Sequence, residues 1–193
     1  MESLHRAIFI DRDGVIIENR EDYVRSWDDV FIFPQALRAL SRINDSEYKI
    51  VIITNQSAVG RGLISQSTAD EINQRLIAEI HAVGGRIDGV FMCPHAPEFG
   101  CSCRKPKPGL LLAAAAELSI NLRQSVMIGD ALTDIIAGQE AGVRNNIMVL
   151  TGRGADQSKL SHPEDLEPFD IYDSLLDVAN HLLSSSILLD PPE

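Results

Sequence analysis

The sequence predicts an α/β protein built on a parallel sheet with helices on both faces. Short β-branched runs alternate along the chain with amphipathic helical stretches, the pattern of strands joined by crossover helices. A length of 193 residues with 45% hydrophobic content suits one sizeable core. The expected division is a single domain over residues 1–185 and a flexible tail over 186–193, where a serine run and a proline pair offer little to pack.

The expected strands are residues 7–10, 50–54, 89–92, 126–128, 147–150 and 169–172, each rich in Ile, Val or Phe. Helices fit between them. Pro34 suits a first helical position ahead of residues 36–43, because its missing N–H is not needed there. Ser67, three residues before Asp70, reads as an N-cap ahead of a helix over 72–80. Further helical patterns cover 109–118, 133–141 and 174–183.

Composition narrows the partners. A formal net charge of -11, from 28 acidic against 17 basic residues, repels nucleic acid and anionic membrane surfaces, so a small-molecule partner is expected. The start, MESLHRAIFIDRDG, carries no secretory pattern, and the richest apolar stretch, residues 110–118, is too short for a bilayer and interrupted by Glu117. The expectation is a cytoplasmic protein, monomeric, with neither nucleic acid nor membrane as partner.

Ligands of open α/β sheets bind beyond the carboxyl ends of the strands, and the chemistry-bearing residues fall there. Asp11 and Asp13 follow the first strand, Thr54 and Asn55 end the second, and Asp130 ends the fourth. Carboxylates gathered at one edge repel unless a cation offsets them, and hard oxygen donors favour Mg²⁺. D-x-D-G is also an ordinary turn. An EF-hand loop does not fit, since glycine comes too early and a strand precedes it. If Asp11 attacks phosphorus, an aspartyl-phosphate divides hydrolysis into two easier steps, and Asp13 exchanges the proton with leaving group and water. Lys105, in "RKPKP", supplies a point charge for the phosphoryl oxygens, and Thr54 a hydroxyl hydrogen bond. Asp130 and Asp134, in "GDALTD", sit at a strand-to-helix turn, the first reaching the metal and the second bracing the loop.

Cys93, His95, Cys101 and Cys103 form C-x-H-x5-C-x-C, a donor set able to close a tetrahedral Zn²⁺ site. With every position taken by protein, such an ion is structural. It would pin an irregular proline-rich loop and thereby hold Arg104 and Lys105. Free thiols in a loop are the alternative.

In this order, DRDG (11–14), TN (54–55), KPKP (105–108) and GDALTD (129–134) resemble the haloacid dehalogenase (HAD) superfamily of phosphatases. The resemblance spans residues 7–183. It implies a Rossmann-like, doubly wound fold, Mg²⁺ dependence, Asp11 as nucleophile and Asp13 as general acid and base. The metal would be held by the Asp11 carboxylate, the Asp13 backbone carbonyl and the Asp130 carboxylate. The cysteine loop, with TNQSAVGRG at 54–62, resembles the heptose-1,7-bisphosphate 7-phosphatase subfamily, relatives of the histidinol-phosphate phosphatases. That implies a capless enzyme removing the 7-phosphate of a phosphorylated sugar, contacted by Asn19, Tyr23, Asn55, Gln56, Ser57 and Arg104. Ala131 stands where that subfamily is expected to carry a lysine. The alternatives are a histidinol-phosphate or other small sugar-phosphate phosphatase, and, more remotely, a non-catalytic zinc-stabilised binding module.

Overall fold

The computed structural model describes residues 4–184. Its strands are β1 (Ala7–Ile10), β2 (Lys49–Asn55), β3 (Gly89–Cys93), β4 (Val126–Gly129), β5 (Asn145–Val149) and β6 (Asp170–Tyr172). They form a six-stranded sheet in the order β3-β2-β1-β4-β5-β6, every neighbouring pair parallel. The helices are α1 (Pro34–Arg42), α2 (Ser57–Gly60), α3 (Gln66–Ala82), α4 (Gly109–Glu117), α5 (Leu132–Ala141), α6 (Gly154–Gln157) and α7 (Leu175–Ser184).

Side chains alternate across the strands, so one sheet feeds two cores. Ile8, Ile10, Ile50, Ile52, Val126 and Ile128 join Leu40 of α1, Leu76 of α3 and Val178 of α7 on one face. Phe9, Val51, Ile53 and Met127 join Leu111 and Ala114 of α4 and Ala137 of α5 on the other. With both faces covered, the strands are apolar throughout, which is why they read as runs in the sequence. Burying one such Ile or Leu contributes about 1.5–3 kcal/mol.

Several boundaries move. β2 begins earlier, at Lys49, and takes in Asn55, while β3 takes in Cys93 and β4 takes in Gly129. β5 spans Asn145–Val149, and β6 starts at Asp170. The cap of α3 is Ser65, whose hydroxyl accepts from the Thr68 N–H at 3.0 Å, and not Ser67, which lies within the first turn. Both serines precede an apolar periodicity, so only the hydrogen bond separates them. The one-turn helices α2 and α6 are too short to show a period. Ser184 ends α7, and the expected tail over 186–193 lies outside the described residues.

Between β1 and α1, residues 11–33 form no inserted lid. Val15, Ile16, Ile17 and Val24 pack into the first core, bridges pair Asp13 with Ile17 and Ile17 with Ile32, and one 3-10 turn covers Trp27–Asp29. Strand order reverses between β1 and β4, the switch point where such sheets open a crevice. Pairing there continues past the strand, with the Asp11 N–H donating to the Ile128 carbonyl at 2.9 Å. Ile10 stands opposite Ile52 and Ile128, bringing the carboxyl ends of β1, β2 and β4 side by side.

Candidate active site

Lys105 is the hub of the crevice. Only 4% exposed, its ammonium donates to the Ile53 carbonyl at 2.9 Å and pairs with Asp11 Oδ1 at 2.8 Å and Asp134 Oδ1 at 2.5 Å. An ammonium has three donors, and each is matched. The two carboxylates hold the lysine pKa above its usual value, outweighing the burial that would lower it. The backbone is held as firmly: the Asn55 amide accepts from the Lys105 N–H at 3.2 Å and donates to the Lys105 carbonyl at 3.1 Å.

Asp11, Asp130 and Asp134 place carboxylate oxygens within 4.8 Å of one another, at the ends of β1 and β4 and the start of α5. Burial, reinforced by Asp134, Asp130 and Asp13 and opposed by Lys105, pushes Asp11 up to about 8. Burial likewise raises Asp130, with Arg153 opposing. A Cβ on Gly14 would meet Asp130 Oδ2 at 2.0 Å and Asn19 Oδ1 at 2.5 Å; on Gly152 it would meet them at 2.5 and 2.4 Å. These glycines let two acceptor oxygens converge, and Asn19 Oδ1 is buried without a hydrogen-bond partner. An orphaned acceptor beside three carboxylates suits a hard cation.

Asp13 turns to a different set of partners. The Arg12 guanidinium, 1% exposed, forks onto both its oxygens at 3.0 and 3.1 Å and reaches Asn73 Oδ1 at 2.8 Å. The Gln56 amide donates to Asp13 Oδ2 and to Thr54 Oγ1, each at 2.8 Å. Thr54 Oγ1 in turn lies 3.4 Å from Asp13 Oδ2. Thr54 is fully buried, and its hydroxyl, expected from the sequence to serve the phosphoryl oxygens, is engaged here by Gln56 and Asp13. Asp134 accepts the Ala131 N–H at 3.1 Å.

The crevice opens into a cleft of about 340 Å³ lined by Asp11, Asp13, Lys105 and Asp134, with Asn19, Tyr23, Asn55, Gln56, Ser57 and Arg104 around them. Tyr23 holds a positive φ of 66°, a conformation uncommon outside glycine and worth noting at a site. Arg20, Arg61 and Arg153 also line the cleft, and sequence reasoning missed Arg61 and Arg153, as it missed Arg12. Their signal was faint: single arginines far apart in the chain. Ala131 is 3% exposed, whereas Arg153, two residues beyond Thr151, brings a cation to Asp130 from a different loop. Its Nη2 lies 3.1 Å from Asp130 Oδ1, and its backbone N–H and Nε reach Oδ2 at 2.8 and 3.3 Å.

Beside the cleft, Cys93, His95, Cys101 and Cys103 gather their donor atoms within 4.8 Å. The Sγ atoms of Cys93 and Cys103 lie 3.3 Å apart, and each is 3.6 or 3.4 Å from that of Cys101. His95 Nδ1 is 3.7 Å from Cys93 and 3.4 Å from Cys103. A tetrahedron around Zn²⁺, with bonds of about 2.3 Å to sulfur and about 2.0 Å to nitrogen, has edges of about 3.5–3.8 Å, so the donors stand near the positions such an ion needs. Burial pushes Cys93 up to about 12. Cys101, despite burial that opposes the change, is lowered to about 6 by hydrogen bonds from Cys103 and the Arg104 N–H. Arg104 itself donates to the His95 carbonyl at 3.3 Å.

The model of the HAD-hydrolase-like family matches residues 102–178. D-glycero-beta-D-manno-heptose-1,7-bisphosphate 7-phosphatase of Bordetella bronchiseptica is 36% identical over 149 residues, 77% of this chain and 83% of that protein. The enzyme of the same name from Helicobacter pylori is 39% identical over 147 residues, 76% of this chain and 84% of that protein. The crystal structure of the B. bronchiseptica phosphatase, complexed with magnesium and phosphate, superposes with a TM-score of 0.85 at 34% identity, covering 92% of this chain and 98% of that one. Identity at this level over most of both chains, on a shared fold whose crevice gathers Asp11, Lys105 and Asp130, establishes that the chain belongs to the HAD-like family of phosphatases.

Proposed function

We propose that this phosphatase removes the 7-phosphate of D-glycero-D-manno-heptose 1,7-bisphosphate through an aspartyl-phosphate on Asp11. The observation that carries the reading is the Lys105 ammonium bridging Asp11 and Asp134 beside a cleft rimmed by Arg20, Arg61, Arg104 and Arg153. The named relatives act on this bisphosphate, and the rim explains why a second anionic group is tolerated so far from the reacting one. The cationic end of histidinol phosphate would meet like charge at these guanidiniums.

Asp11 forms the bond to phosphorus. The Arg12 N–H and the Lys105 ammonium both engage its Oδ1, which leaves Oδ2 for attack. Lys105 sits where it offsets charge on the phosphoryl oxygens. Asp13, aimed by the Arg12 fork and by Gln56 and Thr54, protonates the departing alkoxide and then takes a proton from the water that releases phosphate. Asp11 and Asp130, with the Asp13 backbone carbonyl, would hold Mg²⁺, which supplies charge neutralisation at the phosphoryl group. Cys93, His95, Cys101 and Cys103 would hold a structural Zn²⁺ that keeps the Arg104–Lys105 segment in place. Asn19, Tyr23, Asn55, Gln56, Ser57 and Arg104 contact the sugar and its far phosphate.

The test is phosphate release from the 1,7-bisphosphate against the matching 7-monophosphate and histidinol phosphate. Catalytic efficiency is expected to favour the bisphosphate. Arg104→Ala should remove most of that preference, about 1.5–3 kcal/mol for a charge-assisted contact, while slowing the monophosphate less. Equal slowing of both, or a faster reaction with histidinol phosphate, overturns the substrate assignment and leaves the phosphatase chemistry standing.

A further inference from the structure

We infer that Arg153 is a tethered cation that competes with the divalent ion for Asp130 and, when displaced from it, becomes a ligand for the substrate's phosphoryl group. The inference rests on the proposed Mg²⁺ site.

The two oxygens of Asp130 are in different situations. Oδ2 is wedged against the backbone of Gly14 and Gly152 and accepts the backbone N–H of Arg153 at 2.8 Å and its Nε at 3.3 Å. The backbone contact, the shorter of the two, does not depend on the arginine side chain. Oδ1 has one partner among the described residues, the Arg153 Nη2 at 3.1 Å. A cation bound through Oδ1 therefore meets the guanidinium first. Asp130 is fully buried while the Arg153 side chain is 55% exposed, so the carboxylate is fixed and the arginine is the group with room to move.

The loop that carries Arg153 is held independently of its side chain. Thr151 Oγ1 donates to the Gly14 carbonyl at 2.6 Å, and the Gly154 N–H donates to the Thr151 carbonyl at 3.0 Å. Rotation of the side chain alone carries the guanidinium from Asp130 into the cleft that it lines together with Asp11 and Lys105. A planar fork released there is suited to phosphoryl oxygens. The same charge thus has two effects of opposite sign. It weakens binding of Mg²⁺ by itself, because like charges share one carboxylate, and it strengthens binding of phosphate once the metal is in place.

Calorimetric titration of the full chain with Mg²⁺ alone, then with inorganic phosphate at saturating Mg²⁺, separates the two effects without turnover. Arg153→Gln should tighten Mg²⁺ and weaken phosphate, each by about five- to twentyfold, the range of one partly exposed charge-assisted contact. Arg153→Lys keeps the charge but loses the fork, so its Mg²⁺ affinity should stay near wild type while phosphate binding falls part of the way. A purely structural role predicts weaker binding of both ligands in Arg153→Gln, and that result, or no change in either, overturns the inference. If the wild type hydrolyses the bisphosphate with Mg²⁺ and the variants shift nothing, this inference alone fails. If the wild type takes up no Mg²⁺, the metal assignment fails and this inference with it.

Discussion

Lys105 has its three donors committed to a backbone carbonyl and two aspartates, so its position is determined by the site and not by its own flexible stem. Asp11 is the more delicate partner, since burial already disfavours its charge. Asp11→Asn should abolish turnover, because the amide keeps the size but cannot form the acyl phosphate. Burial already keeps the Asp11 carboxyl protonated up to about 8, so at neutral pH the amide replaces a largely neutral group, and thermal unfolding of the variant without added metal should stay near the wild type. More than a few per cent of residual phosphate release from a pure preparation would remove Asp11 from the nucleophile's role. The residues that a reading of the chain overlooks, Arg12 and Arg153, act on aspartates it does find. Arg12 lies between Asp11 and Asp13, yet nothing local says that its guanidinium folds back onto Asp13 and across to Asn73 on α3.

At the scale of elements, the cysteine loop and the catalytic loop are one mechanical unit. Cys93 closes β3 and stands opposite Asn55 of β2, and Asn55 clamps both backbone groups of Lys105. The loop also packs closely on α2: the Gly60 N–H donates to the Pro94 carbonyl at 2.8 Å, and a Cβ at Gly60 would lie 2.5 Å from the Ala96 nitrogen. Bound metal contributes its binding free energy to folding. Cys101→Ser should therefore lower the melting temperature, by about 2–4 °C for each kcal/mol lost in a chain of this size. Metal analysis of protein purified without chelator should find one zinc per chain, lost in the variant. A wild type free of zinc, or a variant as stable as the wild type, would make the cluster three thiols and an imidazole with no metal role.

At the scale of the whole molecule, pH couples folding to the metal. Asp11 holds its proton up to about 8, against 3.8 for its ordinary value. Between those values the folded chain binds a proton that the unfolded chain releases. This group's contribution to stability is therefore complete at low pH and is lost as pH rises through about 8. A divalent cation among the three carboxylates favours the ionised form and restores what the rise in pH removes. Mg²⁺ should accordingly raise the melting temperature more at pH 8.5 than at pH 6, measured by thermal unfolding with and without the ion. An equal gain at both values would show that Asp11 gives up no proton when the ion binds.

Sequence alone determined the sheet, its longer helices and the edge on which the chemistry sits. Strands buried on both faces must be apolar runs, and aspartates directly after such runs have nowhere to go but the carboxyl edge. It also determined the cysteine cluster, whose ligands lie close along the chain. Tertiary structure decided which groups share a charge. Strand order brings Asp11 beside Asp130 across the switch point, Lys105 reaches both Asp11 and Asp134 from a loop on the far side of β2, and Arg153 arrives at Asp130 from beyond β5. It also joined the Thr54 hydroxyl to Asp13 and buried Ala131. Hydrophobic periodicity is local and survives in a linear pattern, whereas ion pairing between distant segments depends on packing to within a few ångströms, which no spacing along the chain records.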